Sequence, residues 1–139
     1  MFVLDTNVVS ELRKVRAGKA NPGVAEWASG VPSGQLFVSV ITIHELEHVV
    51  LLAERADPER GAVLRTWLDD SVAPAFASRV LGIDEPVARR AAALQVPAPA
   101  PFRDAVIGAT ALVHRIAVVT RNVRDFERFG GLDVVAPWV

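Results

Sequence analysis

Asp5, Glu45, Asp104 and Asp125 are the side chains whose type and placement could do chemistry together. Asp5 directly follows the apolar run FVL, and Asp125 follows AVVT and the turn Arg121-Asn122. Glu45 falls in the first turn of a helix after the second strand-like run, and Asp104 in the first turn of a strongly apolar helix. In a parallel sheet such positions gather at the carboxyl edge of the strands, so the four are expected to converge on one rim. Carboxylates that close repel one another, and a chain keeps such a cluster by protonating some members or by binding a hard cation. Magnesium, or manganese in its place, is the natural ion for an all-oxygen site, and the chemistry implied is metal-assisted hydrolysis of a phosphodiester. Each acid also has a purely structural reading. Asp5 could cap the first helix, Glu45 could pair with Thr42 in a capping box, Asp104 could satisfy amides at its own helix start, and Asp125 could shape a turn.

A second motif competes for Glu45. His44-Glu45-Leu46-Glu47-His48 is a literal H-E-x-x-H on a predicted helix, the pattern of zinc hydrolases and metalloproteases, with Glu45 as general base between histidines that share a face. The pattern still needs a third ligand. Glu54 has the spacing of one, but Leu51 stands where a glycine should break the helix, so Glu54 turns away from the histidine pair. A phosphoaspartyl enzyme is disfavoured because a second aspartate would be needed at Asn7.

The elements that must position these groups are legible. Short β-rich runs at residues 2–4, 36–40, 80–83, 117–120 and 134–135 alternate with helical patterns, which predicts an α/β fold with a mainly parallel sheet. Asn21-Pro22 and Asp57-Pro58 each set a capping side chain before a proline suited to a first helical position, the second opening a helix to about residue 71. Thr42 and Glu45 match a capping box for a helix to about residue 56, and Asp84 caps one ending near residue 94. Residues 103–114 are apolar on nearly every face and read as a helix deep against the sheet, with Gly108 allowing close approach to a strand. The proline-rich VPAPAP at residues 96–101 is a stiff, non-helical connection before it. Trp27, Trp67 and Val49 are assigned to core or to a dimer interface.

The 139 residues suit a single domain, and 51% hydrophobic against 22% charged residues excludes a disordered chain. With no cysteine there is no disulfide framework, thiolate metal site or cysteine nucleophile. No apolar run approaches the roughly 18 residues of a membrane span, and the expectation is a soluble, cytoplasmic protein. A net charge of −1 provides no bulk field for nucleic acid, so any such contact needs a local patch. Nearly all the positive charge is arginine, and Arg13, Arg121 and Arg124 are the candidates to guide a phosphate.

Four segments carry a family resemblance: the opening FVLDTNVVSEL, FVSVITIHEL, the helix start FRDAVIGATAL and the tail VVTRNVRDFERFGGLDVVAPW. Together they span nearly the whole chain, and the sequence resembles the PIN-domain ribonucleases of the VapC toxin type, particularly their FitB-like branch. The resemblance implies a PIN-like α/β/α sandwich over residues 1–139 and endonucleolytic, Mg2+-dependent cleavage of RNA. It places the family's acids on Asp5, Glu45, Asp104 and Asp125, as catalytic and metal-holding groups, and supporting polar positions on Thr6, Asn7, Thr120 and Asn122. It also implies a homodimer, a VapB-like antitoxin that blocks the site, and DNA contact only through that antitoxin. One departure falls just before Asp104, where Phe102 and Arg103 replace a loop that often carries a serine or threonine. That change is expected to alter the rim that faces substrate and to leave the metal ligands alone.

Overall fold

In a computed structural model describing residues 1–139, β1 (Phe2–Leu4), β2 (Leu36–Ser39), β3 (Val80–Leu81), β4 (Ala117–Val119) and β5 (Val134–Val135) form one sheet in the order β3-β2-β1-β4-β5. Every pairing is parallel, with Phe2 opposite both Leu36 and Ala117. Side chains alternate across a strand, and the apolar residues divide accordingly. Phe2 and Leu4 face one layer and Val3 the other, as do Val119 and Val118. The first layer holds α1 (Thr6–Leu12), α2 (Pro22–Ser29), α3 (Val40–Ala56), α4 (Pro58–Trp67) and the short α5 (Ala73–Ala75). The second holds α6 (Glu85–Leu94), α7 (Phe102–His114) and α8 (Val123–Glu127). The expected α/β/α sandwich is present. Because β2 lies on one side of β1 and β4 on the other, the chain's direction of winding reverses beside β1, and a crevice opens at the carboxyl ends of these strands.

Three of the four anticipated caps form. Asn21 accepts from the amides of Gly23 and Val24 (3.0 and 3.3 Å), Asp57 from Arg60 (3.4 Å) and Asp84 from Val87 (3.1 Å). The Thr42–Glu45 capping box does not. Ser39, still in extended conformation at the end of β2, caps α3 by accepting from the Ile41 amide at 3.1 Å. The helix therefore starts at Val40, Thr42 is buried inside it, and Glu45 lies in its second turn. The helical path of α4 also runs past residue 71, through a π-turn at Leu68–Val72 into α5. That continuation keeps Leu68, Val72 and Phe76 on the buried side. Trp27 and Trp67 pack partly buried against the same core, while Val49 is half exposed on α3.

Two glycines mark close approaches. A Cβ on Gly108 would lie 2.8 Å from Phe129 Cδ2, so the glycine admits an aromatic ring and not, as anticipated, a strand. A Cβ on Gly61 would lie 2.4 Å from the Glu54 Cα, backbone against backbone, where α4 folds back on α3. Gly61→Ala must push these helices apart and is expected to cost about 1–3 kcal/mol, read as a lower denaturant midpoint at unchanged slope.

The same hairpin is clamped by Arg65, which pairs with Glu47 (2.5 Å), Glu54 (3.0 Å) and Asp69 (3.6 Å). Its hydrogen bonds hold the Glu47 carboxyl below the usual range. Arg65→Ala leaves three acids without their shared cation. The expected result is a lower melting temperature, with the deficit shrinking as salt is raised, because these are partly solvated charges.

Candidate active site

β1 delivers Asp5 into the crevice, where it is fully buried and surrounded by donors. The Thr6 amide donates to its Oδ1 at 2.7 Å, Thr120 Oγ1 to its Oδ2 at 2.8 Å, and Asn7 Nδ2 to its Oδ2 at 3.3 Å. Asp5 thus does cap α1, but that bond uses only one of its oxygens. Thr120 arrives from the end of β4, and the Asn122 amide donates to its hydroxyl at 2.9 Å. The Arg121 amide donates to Asn7 Oδ1 at 3.3 Å. Thr6, Asn7 and Thr120 therefore form a hydrogen-bonded collar around the Asp5 carboxylate, which Asn122 joins only through its backbone amide.

Glu45 reaches the same place from α3. The Thr6 hydroxyl donates to its Oε1 at 2.7 Å. The buried Thr42 sits one helical turn earlier, its hydroxyl 3.3 Å from that of Thr6. Asp104 enters from the first turn of α7, almost wholly buried. Its carboxylate caps nothing. Burial pushes the Asp104 carboxyl up, Arg103 pulls it back down, and the charges of Asp125 and Asp5 push it up again. Asp125 is exposed in the first turn of α8, beside Arg121, Asn122 and Arg124 in a shallow cleft.

The acids do not simply face one another. No three of the histidine, aspartate and glutamate side chains lie close enough to share one ion as placed, because the guanidinium of Arg103 stands between them. Its Nε donates to Glu45 Oε2 at 2.8 Å, one terminal nitrogen to Asp104 Oδ1 at 2.6 Å, and the other to Asp5 Oδ1. Burial alone would lower the guanidinium's proton affinity, but Asp5 and Glu45 outweigh it and hold Arg103 firmly cationic. The departure before Asp104 therefore acts on the acids themselves, which were expected to be left alone. The sequence marks Arg103 as a departure at the rim but does not show that it reaches the acids. The available signal was a cation adjacent to Asp104 in a chain with four clustered acids, which can be neutralised from within as well as by protons or metal.

The donor set fits a divalent metal. Asp5, Glu45 and Asp104 offer only carboxylate oxygens, come from three separate elements, and all turn toward one positive charge, that of the Arg103 guanidinium.

The zinc arrangement does not assemble. His44 and His48 share an exposed face of α3, their ring centroids 6.2 Å apart, next to Glu47. Glu45 is turned toward Thr6 and Arg103, and Glu54 is held by Arg65. In this fold the general base and the supposed ligands thus point to different parts of the molecule. Of the three candidate arginines, Arg121 and Arg124 line the shallow cleft that holds Asp125. Arg13 stacks over Trp67 at 5.7 Å in an apolar groove lined also by Val9, Leu36 and Phe76, which contains none of the acids.

Comparison with known proteins agrees with this architecture. The PIN domain family model matches residues 2–132. The chain is 36% identical to the VapC ribonuclease Y4jK of Sinorhizobium fredii, covering 99% of this chain and 98% of that one. It superposes on the crystal structure of FitAcB from Neisseria gonorrhoeae with a TM-score of 0.87 at 33% identity, over 99% of each chain. A toxin-antitoxin complex from Klebsiella pneumoniae matches with a TM-score of 0.66 at 27% identity, over 99% of this chain and 98% of that one.

Proposed function

The chain belongs to the PIN-domain family, and on that premise we propose that it is the toxin of a VapBC-type toxin-antitoxin pair, a divalent-metal-dependent endoribonuclease working in the cytoplasm. The observation that carries the reading is the convergence of Asp5, Glu45 and Asp104 on one cation at the switch point of a parallel sheet. Asp5, Glu45, Asp104 and Asp125 would hold Mg2+, with Mn2+ as a substitute. When bound, such an ion supplies positive charge against the phosphodiester and makes water a better nucleophile. In the hydrolysis the water oxygen bonds to phosphorus, the ester P–O bond breaks, and the departing oxygen takes up a proton. The chain's own part is placement. The Thr6 and Thr120 hydroxyls fix the rotamers of Glu45 and Asp5, Asn7 ties the ends of β1 and β4 together by accepting from the Arg121 amide, and the Asn122 amide holds the Thr120 hydroxyl. Arg121 and Arg124 flank Asp125 on the open side, where they can grip the RNA backbone. A VapB-like antitoxin covering the crevice, a homodimer of the toxin, and operator DNA reached only through the antitoxin complete the proposed assembly. No helix is long and apolar enough to cross a membrane.

The test is cleavage of cellular RNA by the purified, partner-free chain. Discrete fragments are expected with Mg2+ and none with excess chelator or with Asp104→Asn. Cleavage that survives chelation, or is undiminished in the variant, would overturn the reading. Asp104 is the useful position because Glu45 belongs to both the acid cluster and the H-E-x-x-H motif.

The arginines give a quantitative check. Arg121→Ala or Arg124→Ala is expected to weaken RNA binding about equally for all sequences and to lower the slope of log affinity against log salt by about 0.7 each, the value for one single-strand phosphate contact. Arg13→Ala is expected to leave that slope unchanged.

A further inference from the structure

Each of the three carboxylates gives Arg103 an oxygen that a metal ion would also need: Asp5 Oδ1, Glu45 Oε2 and Asp104 Oδ1. A guanidinium is broad and planar, with five N–H donors radiating in its plane, so the carboxylates around it are spread wider than around a small ion. This accounts for the absence of any three acids spaced for one metal. The two cations also repel, and at such separations in a half-buried site that repulsion is large. Occupancy by one therefore opposes occupancy by the other.

We propose that Arg103 is a resident counter-ion of the acid cluster that competes with the divalent metal, so that metal binds only as the guanidinium swings out. The proposal rests on the reading of this cluster as a metal site. Three features support the exchange. Arg103 heads α7 with its side chain 30% exposed, so a path to solvent exists without moving the helix. Its neighbour Phe102 is 57% exposed and does not close that path. Asp125 is the one acid that Arg103 does not engage, which leaves a free carboxylate at the open side to meet an incoming ion. The consequence is a raised metal threshold together with a cluster whose repulsion is partly offset without metal.

The test is Mn2+ binding by titration calorimetry, with free Mn2+ followed by electron paramagnetic resonance, on the whole chain and without RNA. Arg103→Ala is expected to bind Mn2+ roughly tenfold more tightly or better, since a unit positive charge is removed from the site. Arg103→Gln, which keeps two hydrogen-bond donors and drops the charge, is expected to follow it, and Arg103→Lys to stay near wild type. Without metal, Arg103→Ala is expected to melt below wild type and to gain more than wild type on adding Mn2+. Equal or weaker Mn2+ affinity in folded Arg103→Ala or Arg103→Gln overturns the competition while leaving the metal site standing. Absence of Mn2+ binding in wild type and all variants overturns the metal site itself, and the proposal with it.

Discussion

Asp104→Asn is expected to lose metal-dependent RNA cleavage by at least roughly 100-fold while melting no lower than the wild-type protein. Loss of even an outer partner of a metal ligand costs about 10–100-fold, and on the proposed function Asp104 is itself a ligand. Its fold tolerates the change because the carboxylate is disfavoured where it sits. Burial pushes its carboxyl up, and Asp125 and Asp5 add to that push, against the pull of Arg103. A neutral amide removes the buried charge and still offers Arg103 an oxygen.

Asp5→Asn is expected to lose as much activity but also stability. The Asp5 carboxylate accepts from the Thr6 amide, Thr120, Asn7 and Arg103. An asparagine has one acceptor oxygen, and its amide nitrogen must then face donors, which leaves buried groups unpaired at about 1–3 kcal/mol. Parallel cleavage assays and melts decide the matter: the two variants should agree in activity and differ in stability. An Asp104→Asn protein as unstable as Asp5→Asn would show that its carboxylate is held more favourably than its surroundings indicate.

The largest stability effect is expected at Phe126. This ring is fully buried in the second layer and meets Phe129 edge-on at 6.2 Å, and Phe129 in turn fills the space left by Gly108 on α7. Phe126→Ala should therefore cost about 3–5 kcal/mol, because Phe129 cannot move into the void without abandoning its seat against α7. Since α8 also carries Asp125, the variant is expected to lose activity under conditions where it remains folded. Denaturant unfolding at constant slope measures the first effect, and a loss under about 1 kcal/mol would mean that the layer collapses to refill the space.

Much of this was legible in the sequence for a simple reason. FVL and AVV bury alternate residues on opposite faces of a sheet covered on both sides, so both read as short apolar runs, and an acid or a threonine next in line must lie at the strand's carboxyl end. Asp5 and Thr120 follow from that rule. The same local logic failed at Ser39. Ser39 and Thr42 are both plausible caps, and only the actual end of β2 chooses between them. It failed again at His44 and His48, where a five-residue pattern says nothing about which way Glu45 faces. Arg103 escaped for a deeper reason. Its partners Asp5 and Glu45 lie 98 and 58 residues earlier in the chain, and a contact of that separation is created by strand order, not by any local signal.

That strand order has a bearing on synthesis. β4 is made late yet inserts beside β1, which is made first, and only then does the Thr120 hydroxyl reach Asp5. On the proposed function, a nascent chain not yet elongated to Asp104 would carry Asp5 and Glu45 but neither Asp104 nor the strand that fixes Asp5. The enzyme is then harmless to the RNA of the machine that makes it until β4 has been made and has paired with β1, and the interval left for an inhibitor to capture it begins only after that.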